Sequence, residues 1–89
     1  MTYKELQALI RVVKENDKFQ FVYGDKTYTF NCYSEYSNGK KAFSVSGDEY
    51  WGRSMNVDKI TTQYITLYDY NLMGQRSSFK LPIAQMTLV

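Results

Sequence analysis

The sequence predicts an α+β domain in which one N-terminal amphipathic helix packs on an antiparallel sheet of five or six strands, or on a small barrel. Helical spacing of apolar residues is confined to residues 1–15. From Phe19 onward apolar and polar residues alternate, which is the period of a half-buried strand. The 89 residues contain no internal repeat or linker, so residues 1–89 are expected to form a single domain.

The helix is predicted to run from Tyr3 to Glu15. Thr2 and Glu5 have the spacing of a capping box, in which each side chain accepts a hydrogen bond from the other residue's backbone N–H. The apolar residues that follow recur at helical spacing: Leu6, Leu9, Ile10 and Val13. We expect this stripe to lie on the sheet, and Asn16 and Asp17 to end the helix.

The first three strands are predicted at Phe19–Tyr23, Thr27–Tyr36 and Lys41–Ser46. Gly24-Asp25 supplies the first turn. Asn38-Gly39 predicts a type I′ hairpin turn, because both residues tolerate positive φ. Alternation places one set of side chains in the core: Tyr28, Phe30, Cys32, Phe43 and Val45.

The second half is predicted to begin with an irregular loop, Gly47–Ser54, and to continue with a strand from Gln63 to Tyr70. A turn through Gly74 leads to a strand at Arg76–Leu81, and Pro82 indicates an edge or a bend. The apolar ending Ile83–Val89 is predicted as a last strand. A meander sheet and a closed barrel both satisfy this order of elements.

The segment ITLYDYNLMGQRSSFKLPIAQMTLV, preceded by a helix and a bent hairpin, resembles the Sm-like small barrels in strand order and in its closing run Phe79-Lys80-Leu81-Pro82-Ile83. The resemblance implies a small barrel. It implies no RNA-binding residue here: RNA-binding members of that family carry a Lys-His pair near this point, whereas Lys80 is followed by Leu81 and the chain contains no histidine.

Residue types argue against catalysis. The chain has no histidine, the side chain most often used for proton transfer near neutral pH. Cys32 lies in phase with core residues and is expected to fill the core, while Asp48-Glu49 is expected to solvate a loop. The glycines match no phosphate-binding spacing, and no run of acids matches a calcium loop. We therefore expect no enzyme activity, no cofactor and no metal.

Two groups of residues are candidates for binding a partner. Tyr64, Tyr68 and Tyr70 share one strand face, opposite Ile65 and Leu67. The irregular loop holds a second group: Tyr50, Trp51 and Arg53. Tyrosine, tryptophan and arginine are enriched at the centres of protein interfaces. Two structural alternatives stay open, in which rim tyrosines merely shield the sheet and Trp51 plugs its end.

Composition indicates the compartment and the source. A single cysteine cannot form an internal disulfide, and no segment approaches the roughly 18 apolar residues of a membrane span, so a cytoplasmic protein without a membrane anchor is expected. The eight lysines against three arginines, with abundant asparagine and tyrosine, are typical of AT-rich coding sequence. This composition points to a low-GC bacterium or its phages.

The sequence thus predicts a non-enzymatic protein-binding module, and a small phage or mobile-element inhibitor that occludes a host nuclease or defence complex would fit this description. The alternative is a single-stranded nucleic-acid-binding barrel that stacks bases on tyrosines. Its cations would be Lys26, Lys40, Lys41, Arg76 and Lys80, although nine acids offset eleven bases overall. A homodimer is a further expectation, because the strand before Pro82 would leave an edge open to a second copy.

Overall fold

The computed structural model describes residues 1–47 and 54–89. The α+β class is confirmed, but the described residues form seven strands, not five or six. In chain order the elements are α1 (Tyr3–Val12), β1 (Lys18–Tyr23), β2 (Lys26–Glu35), β3 (Lys41–Gly47), β4 (Ser54–Ile60), β5 (Tyr64–Tyr70), β6 (Arg76–Pro82), a 3-10 turn (Ile83–Gln85) and β7 (Met86–Leu88).

All seven strands belong to one antiparallel sheet with the order β6-β5-β4-β3-β2-β1-β7. The first six strands form a meander, and the chain then returns so that β7 pairs with the free side of β1. The sheet is curled into a half-barrel with β6 and β7 as its two edges. Within the described residues the sheet is therefore a curled meander and not the closed barrel that the Sm-like resemblance implies.

The strand absent from the sequence prediction is β4. It begins at Ser54, at the end of the predicted loop, and Gly47 at the loop's other end belongs to β3. Its pairing with β5 shifts between Val57 and Lys59, which is a β-bulge. Val57 and Ile60, the apolar residues on either side of this bulge, are three positions apart in the sequence. The alternation of apolar and polar residues that identifies a strand is therefore interrupted here. Residues 48–53 of the predicted loop lie outside the described residues.

The C-terminal segment differs from prediction for a similar reason. Ile83 and Met86 are both 1% exposed, although they are three residues apart. One 3-10 turn over Ile83–Gln85 brings positions i and i+3 to the same side, and only then does the short strand β7 begin. An uninterrupted strand from Ile83 to Val89 would have pointed these two side chains in opposite directions.

The helix ends at Val12, three residues before the predicted end at Glu15. The chain leaves the helix because residues 16 and 17 pair with β2: Asn16 N–H donates to Cys32 O at 2.7 Å, and Cys32 N–H donates to Asp17 O at 3.0 Å. Asn16 adopts a φ of +75°, which a helix does not allow. The predicted capping box of Thr2 and Glu5 is confirmed, with both hydrogen bonds formed.

The turn between β2 and β3 lies where it was predicted but is not of type I′. Gly39 N–H donates to Tyr36 O at 2.9 Å, which closes a turn over Ser37 and Asn38. Among the described residues near this turn only Gly39 has a positive φ, +85°. A three-residue hairpin loop of this kind needs the left-handed conformation at its glycine alone.

The core occupies the inner side of the curled sheet. Leu6 of the helix and Val13 directly after it join a cluster made mainly of alternate strand residues, including Phe21, Phe30, Cys32, Val45, Met55, Ile65, Leu67 and Leu81. The predicted core positions of β2 and β3 are confirmed, and Cys32 is 1% exposed. Its burial raises the pKa of the Cys32 thiol, as expected for an inert core cysteine.

Lys41 attaches the end of the helix to the sheet. Its ammonium, at the start of β3, donates to the carbonyl oxygens of Ile10 at 2.9 Å, Arg11 at 3.2 Å and Val13 at 2.7 Å. These carbonyls belong to the helix C-terminus, where backbone acceptors lack partners and the dipole favours a cation. One side chain therefore satisfies three acceptors and fixes the helix against β3.

We predict that Lys41→Met lowers the free energy of unfolding by about 1–3 kcal/mol, because it leaves the terminal carbonyls without a charged donor. Urea denaturation followed by circular dichroism measures the effect. Lys40→Met is the matched control: it removes the same charge from an exposed position in the turn, and should change stability by no more than about 0.5 kcal/mol. Equal effects of the two variants would contradict this role of Lys41.

Candidate functional site

Strand β5 divides its side chains between the two faces of the sheet, as predicted. Ile65 and Leu67 are 0% exposed in the core, so the alternate residues Tyr64, Tyr68 and Tyr70 lie on the outer face. The helix packs on the inner side through Leu6 and does not cover this outer face. Tyr64 and Tyr68 are half-buried, whereas Tyr70 is 50% exposed.

Cations from β6 lie over two of these rings. The guanidinium of Arg76 is 4.4 Å from the centroid of Tyr68, and the ammonium of Lys80 is 5.5 Å from the centroid of Tyr64. Both pairs are diagonal contacts between adjacent strands, which long side chains on one face can make. Such contacts are favourable because the ring face is electron-rich.

Two further contacts involve Arg76 and the ring of Tyr68 below it. Asp58, within the bulge of β4, accepts from Arg76 at 3.2 Å. The Tyr70 ring meets Tyr68 edge-on, with centroids 5.9 Å apart and an interplanar angle of 80°. The Asp58–Arg76 pair is largely solvated and adds little stability by itself, but it holds the guanidinium over the ring of Tyr68.

Two more tyrosines, from β2 and the turn that follows it, lie beside this group. They were not among the site residues predicted from the sequence. Tyr33 is 46% exposed and Tyr36 is 55% exposed. The pKa of Tyr33 is raised, first by partial burial and then by the neighbouring hydroxyls of Tyr68 and Tyr36. We call these five residues the tyrosine surface: Tyr33, Tyr36, Tyr64, Tyr68 and Tyr70. Tyr33 could have been found from alternation, because it directly follows the core residue Cys32 and so falls on the opposite face of the strand.

A second feature absent from the sequence prediction lies next to Tyr70. Leu72 and Met73, in the turn between β5 and β6, are 103% and 85% exposed. The sequence predicts only a turn at Asn71–Gln75, because its glycine and asparagine are typical turn residues. The exposed apolar pair would have been visible as two large apolar residues at the centre of a hairpin loop.

The other predicted contacts are distributed differently. Tyr50, Trp51 and Arg53 lie outside the described residues. Of the five cations considered for nucleic acid, Arg76 and Lys80 lie over rings of the tyrosine surface, and Lys40 is joined to Tyr36 by a backbone hydrogen bond of 2.8 Å. Lys41 binds the helix end, Lys40 lies in the β2–β3 turn, and Lys26 begins β2.

The tyrosine surface combines aromatic faces, phenolic hydroxyls and two cations that are each placed over a ring. The carboxylate of Asp58 accepts a hydrogen bond from Arg76 at 3.2 Å. In the described ranges 1–47 and 54–89 no three His, Cys, Asp or Glu side chains are grouped as a metal site would require.

Comparisons with models of known protein families, with curated proteins and with solved structures found no match. Among the described residues no helix has the length and apolar character needed to cross a membrane.

We predict that Tyr33→Phe makes stability less sensitive to alkaline pH. A raised folded-state pKa favours the neutral phenol, so this contribution is complete below the unfolded value of about 10 and is lost as pH rises above it. Urea denaturation between pH 9 and pH 11 should show a smaller fall in unfolding free energy for the variant than for wild type. Comparing both proteins at pH 7 controls for lost packing, and parallel curves across the whole range would contradict the prediction.

Proposed function

We propose that this chain is a non-enzymatic protein-binding module that uses the tyrosine surface as its contact area. The observation that carries the proposal is the presentation of five tyrosines on an outer sheet region that the helix does not cover, three of them about half exposed. Tyrosine combines a large apolar ring with a polar tip and few rotatable bonds. It therefore gains contact area at low cost in side-chain entropy.

The contacts within the surface also favour binding. Arg76 and Lys80 restrict the Tyr68 and Tyr64 rings before any partner arrives, and the edge-on contact restricts Tyr70. Side chains that are already ordered lose less freedom on association. A surface organised in this way suits a partner of fixed shape.

The finer proposal concerns biological role. We infer a cytoplasmic inhibitor from a phage or mobile element, which would cover a working surface of a host nuclease or defence complex by steric occlusion. The lack of histidine, the single buried cysteine and the composition typical of AT-rich coding sequence support this reading. Tyr50, Trp51 and Arg53 remain proposed contacts on the strength of their residue types.

We predict that Tyr70→Ala weakens binding to the protein partner at least about tenfold, or about 1.4 kcal/mol, because it removes the most exposed ring of β5. The partner is first captured from lysate of a low-GC Gram-positive host with the tagged chain, with nuclease present, and then purified. Isothermal titration calorimetry compares the variants.

Val12→Ala is the control for this experiment. Val12 is 69% exposed on the helix, which packs on the inner side of the sheet and not on the outer face, so its truncation should change affinity less than about twofold. Thermal denaturation must show that both variants are folded. Loss of capture on nuclease treatment, or unchanged affinity of a folded Tyr70→Ala protein, would overturn the proposed function.

One observation favours the nucleic-acid alternative. Lys59 on β4 and Lys80 on β6 are the register partners of Thr66 on its two sides, so two cations flank the centre of the tyrosine surface. The arrangement within the surface weakens this reading. One face of the Tyr68 ring and one face of the Tyr64 ring are already covered by cations, and a stacking base needs an accessible ring face.

A salt titration with a fluorescein-labelled single-stranded oligonucleotide separates the two functions. If Lys59 and Lys80 each neutralised one phosphate, affinity would fall by roughly 25-fold as salt rises from 50 to 500 mM, and Lys80→Ala would reduce that dependence by about half. We expect no saturable binding at 50 mM salt. Saturable binding with the stated salt dependence would instead support the nucleic-acid function.

A further inference from the structure

The turn between β5 and β6 presents two large apolar side chains to solvent. Leu72 is 103% exposed and Met73 is 85% exposed, so neither contributes to the core. Apolar residues scattered singly are common on protein surfaces, whereas these two are adjacent in one hairpin loop. We call residues 71–75 the apolar tip.

The apolar tip is held in one conformation by hydrogen bonds of Asn71. Its side-chain oxygen accepts from the N–H groups of Met73 and Gln75, each at 2.9 Å, and its side-chain amide donates to Gln75 Oε1 at 3.0 Å. Backbone bonds join Asn71 N–H to Gln75 O and Gly74 N–H to Asn71 O, both at 3.0 Å. Gly74 has a φ of +80°, which closes the loop without strain.

The turn between β2 and β3 shows that this geometry does not require apolar residues. It has the same two backbone bonds, Tyr36 N–H to Lys40 O at 2.8 Å and Gly39 N–H to Tyr36 O at 2.9 Å, and the same positive φ at its glycine. Its two central residues are Ser37 and Asn38, where the apolar tip has leucine and methionine. Loop geometry therefore does not explain the choice of Leu72 and Met73.

The surroundings of the apolar tip indicate what it contacts. Tyr70, Asn71 and Gln75 are uncharged polar residues beside the tip, and Arg76, the register partner of Tyr70, is bonded to Asp58 and lies over Tyr68. A segment that inserts into an anionic membrane surface usually carries free lysine or arginine beside its apolar residues. An apolar centre with an uncharged polar rim is instead the usual anatomy of a protein interface.

We propose that the apolar tip inserts Leu72 and Met73 into an apolar pocket of the partner protein whose rim is polar and uncharged. The inference rests on the proposed function and names the partner's chemistry at one point of the contact. Leucine supplies a branched anchor, and methionine adapts to the remaining space of the pocket. Because the loop is already ordered by Asn71, insertion costs little conformational freedom.

The test uses the full chain and the purified partner captured as described above. The double variant Leu72→Ser, Met73→Ser should weaken binding at least 30-fold, with the loss unchanged between 0.1 and 0.5 M salt. Val12→Ser makes a comparable apolar-to-polar change on the exposed helix surface and should alter affinity less than twofold. All three substituted side chains are solvent-exposed, so thermal denaturation should show wild-type folding for each variant.

A crosslinking experiment locates the contact. The photoreactive residue p-benzoylphenylalanine replaces Leu72, and irradiation with the purified partner should give one adduct, whose modified peptide lies among apolar residues of that protein. Two control measurements address other occupants: sedimentation of the chain alone, and flotation with neutral and anionic phosphatidylcholine/phosphatidylglycerol vesicles. Self-association or vesicle binding that the double variant abolishes would overturn the inference in favour of a second copy or a bilayer.

The outcomes separate this inference from the proposed function. If Tyr70→Ala weakens binding and the double variant does not, the protein-binding function stands and insertion of the apolar tip is wrong. If no protein is retained after nuclease treatment, both are overturned. A 30-fold loss in the double variant that Val12→Ser does not show, together with an adduct in an apolar region of the partner, supports the inference.

Discussion

The fold depends on burying one side of a single curled sheet. Seven strands of the described chain turn their alternate apolar residues inward, but only one helix of ten residues is present to cover them. The helix adds Leu6 to the core, Val13 follows directly after its end, and Lys41 fixes that end to β3. The one helix of residues 1–47 and 54–89 lies on the inner side, so within these ranges no second layer covers the outer face. That face must be stable in water by itself, which constrains the residues that occupy it.

The outer face meets this requirement by shielding itself with its own long side chains. Thr66 points outward yet is only 9% exposed, and Ser44, also on this face, is 5% exposed. Lysines flank Thr66 on both sides, and tyrosines precede and follow it along β5. The cations over Tyr64 and Tyr68 are part of this covering, so the contacts that stabilise the face also order the rings that we propose for binding. Stability and the proposed binding therefore depend on the same side chains.

Regular alternation was the part of the structure that could be predicted from the sequence. The capping box of Thr2, the core positions of β2 and β3, and the two faces of β5 all follow from local residue patterns. Prediction failed where another structural feature interrupts the regular spacing of apolar residues. A bulge within β4 hides its period, a 3-10 turn aligns Ile83 with Met86, and pairing with Cys32 ends the helix early. Arg76 and Lys80 contact tyrosines of β5 that lie diagonally, two positions from their direct strand partners. Predicting these contacts requires the register between β5 and β6, which the sequence alone does not supply.

The two hairpins of similar geometry show where functional information lies in such a small domain. The β2–β3 turn and the β5–β6 turn form equivalent backbone hydrogen bonds and each has a glycine with positive φ, so their backbone structure does not distinguish them. They differ in the side chains that they carry, polar in one turn and apolar in the other. Function in small folds is commonly determined by residues placed on a scaffold and not by the scaffold. Because Tyr70 contacts Tyr68 and directly precedes Asn71, the apolar tip continues the tyrosine surface. One partner surface could therefore bind both, with apolar contact at the tip and amphipathic contact along the sheet.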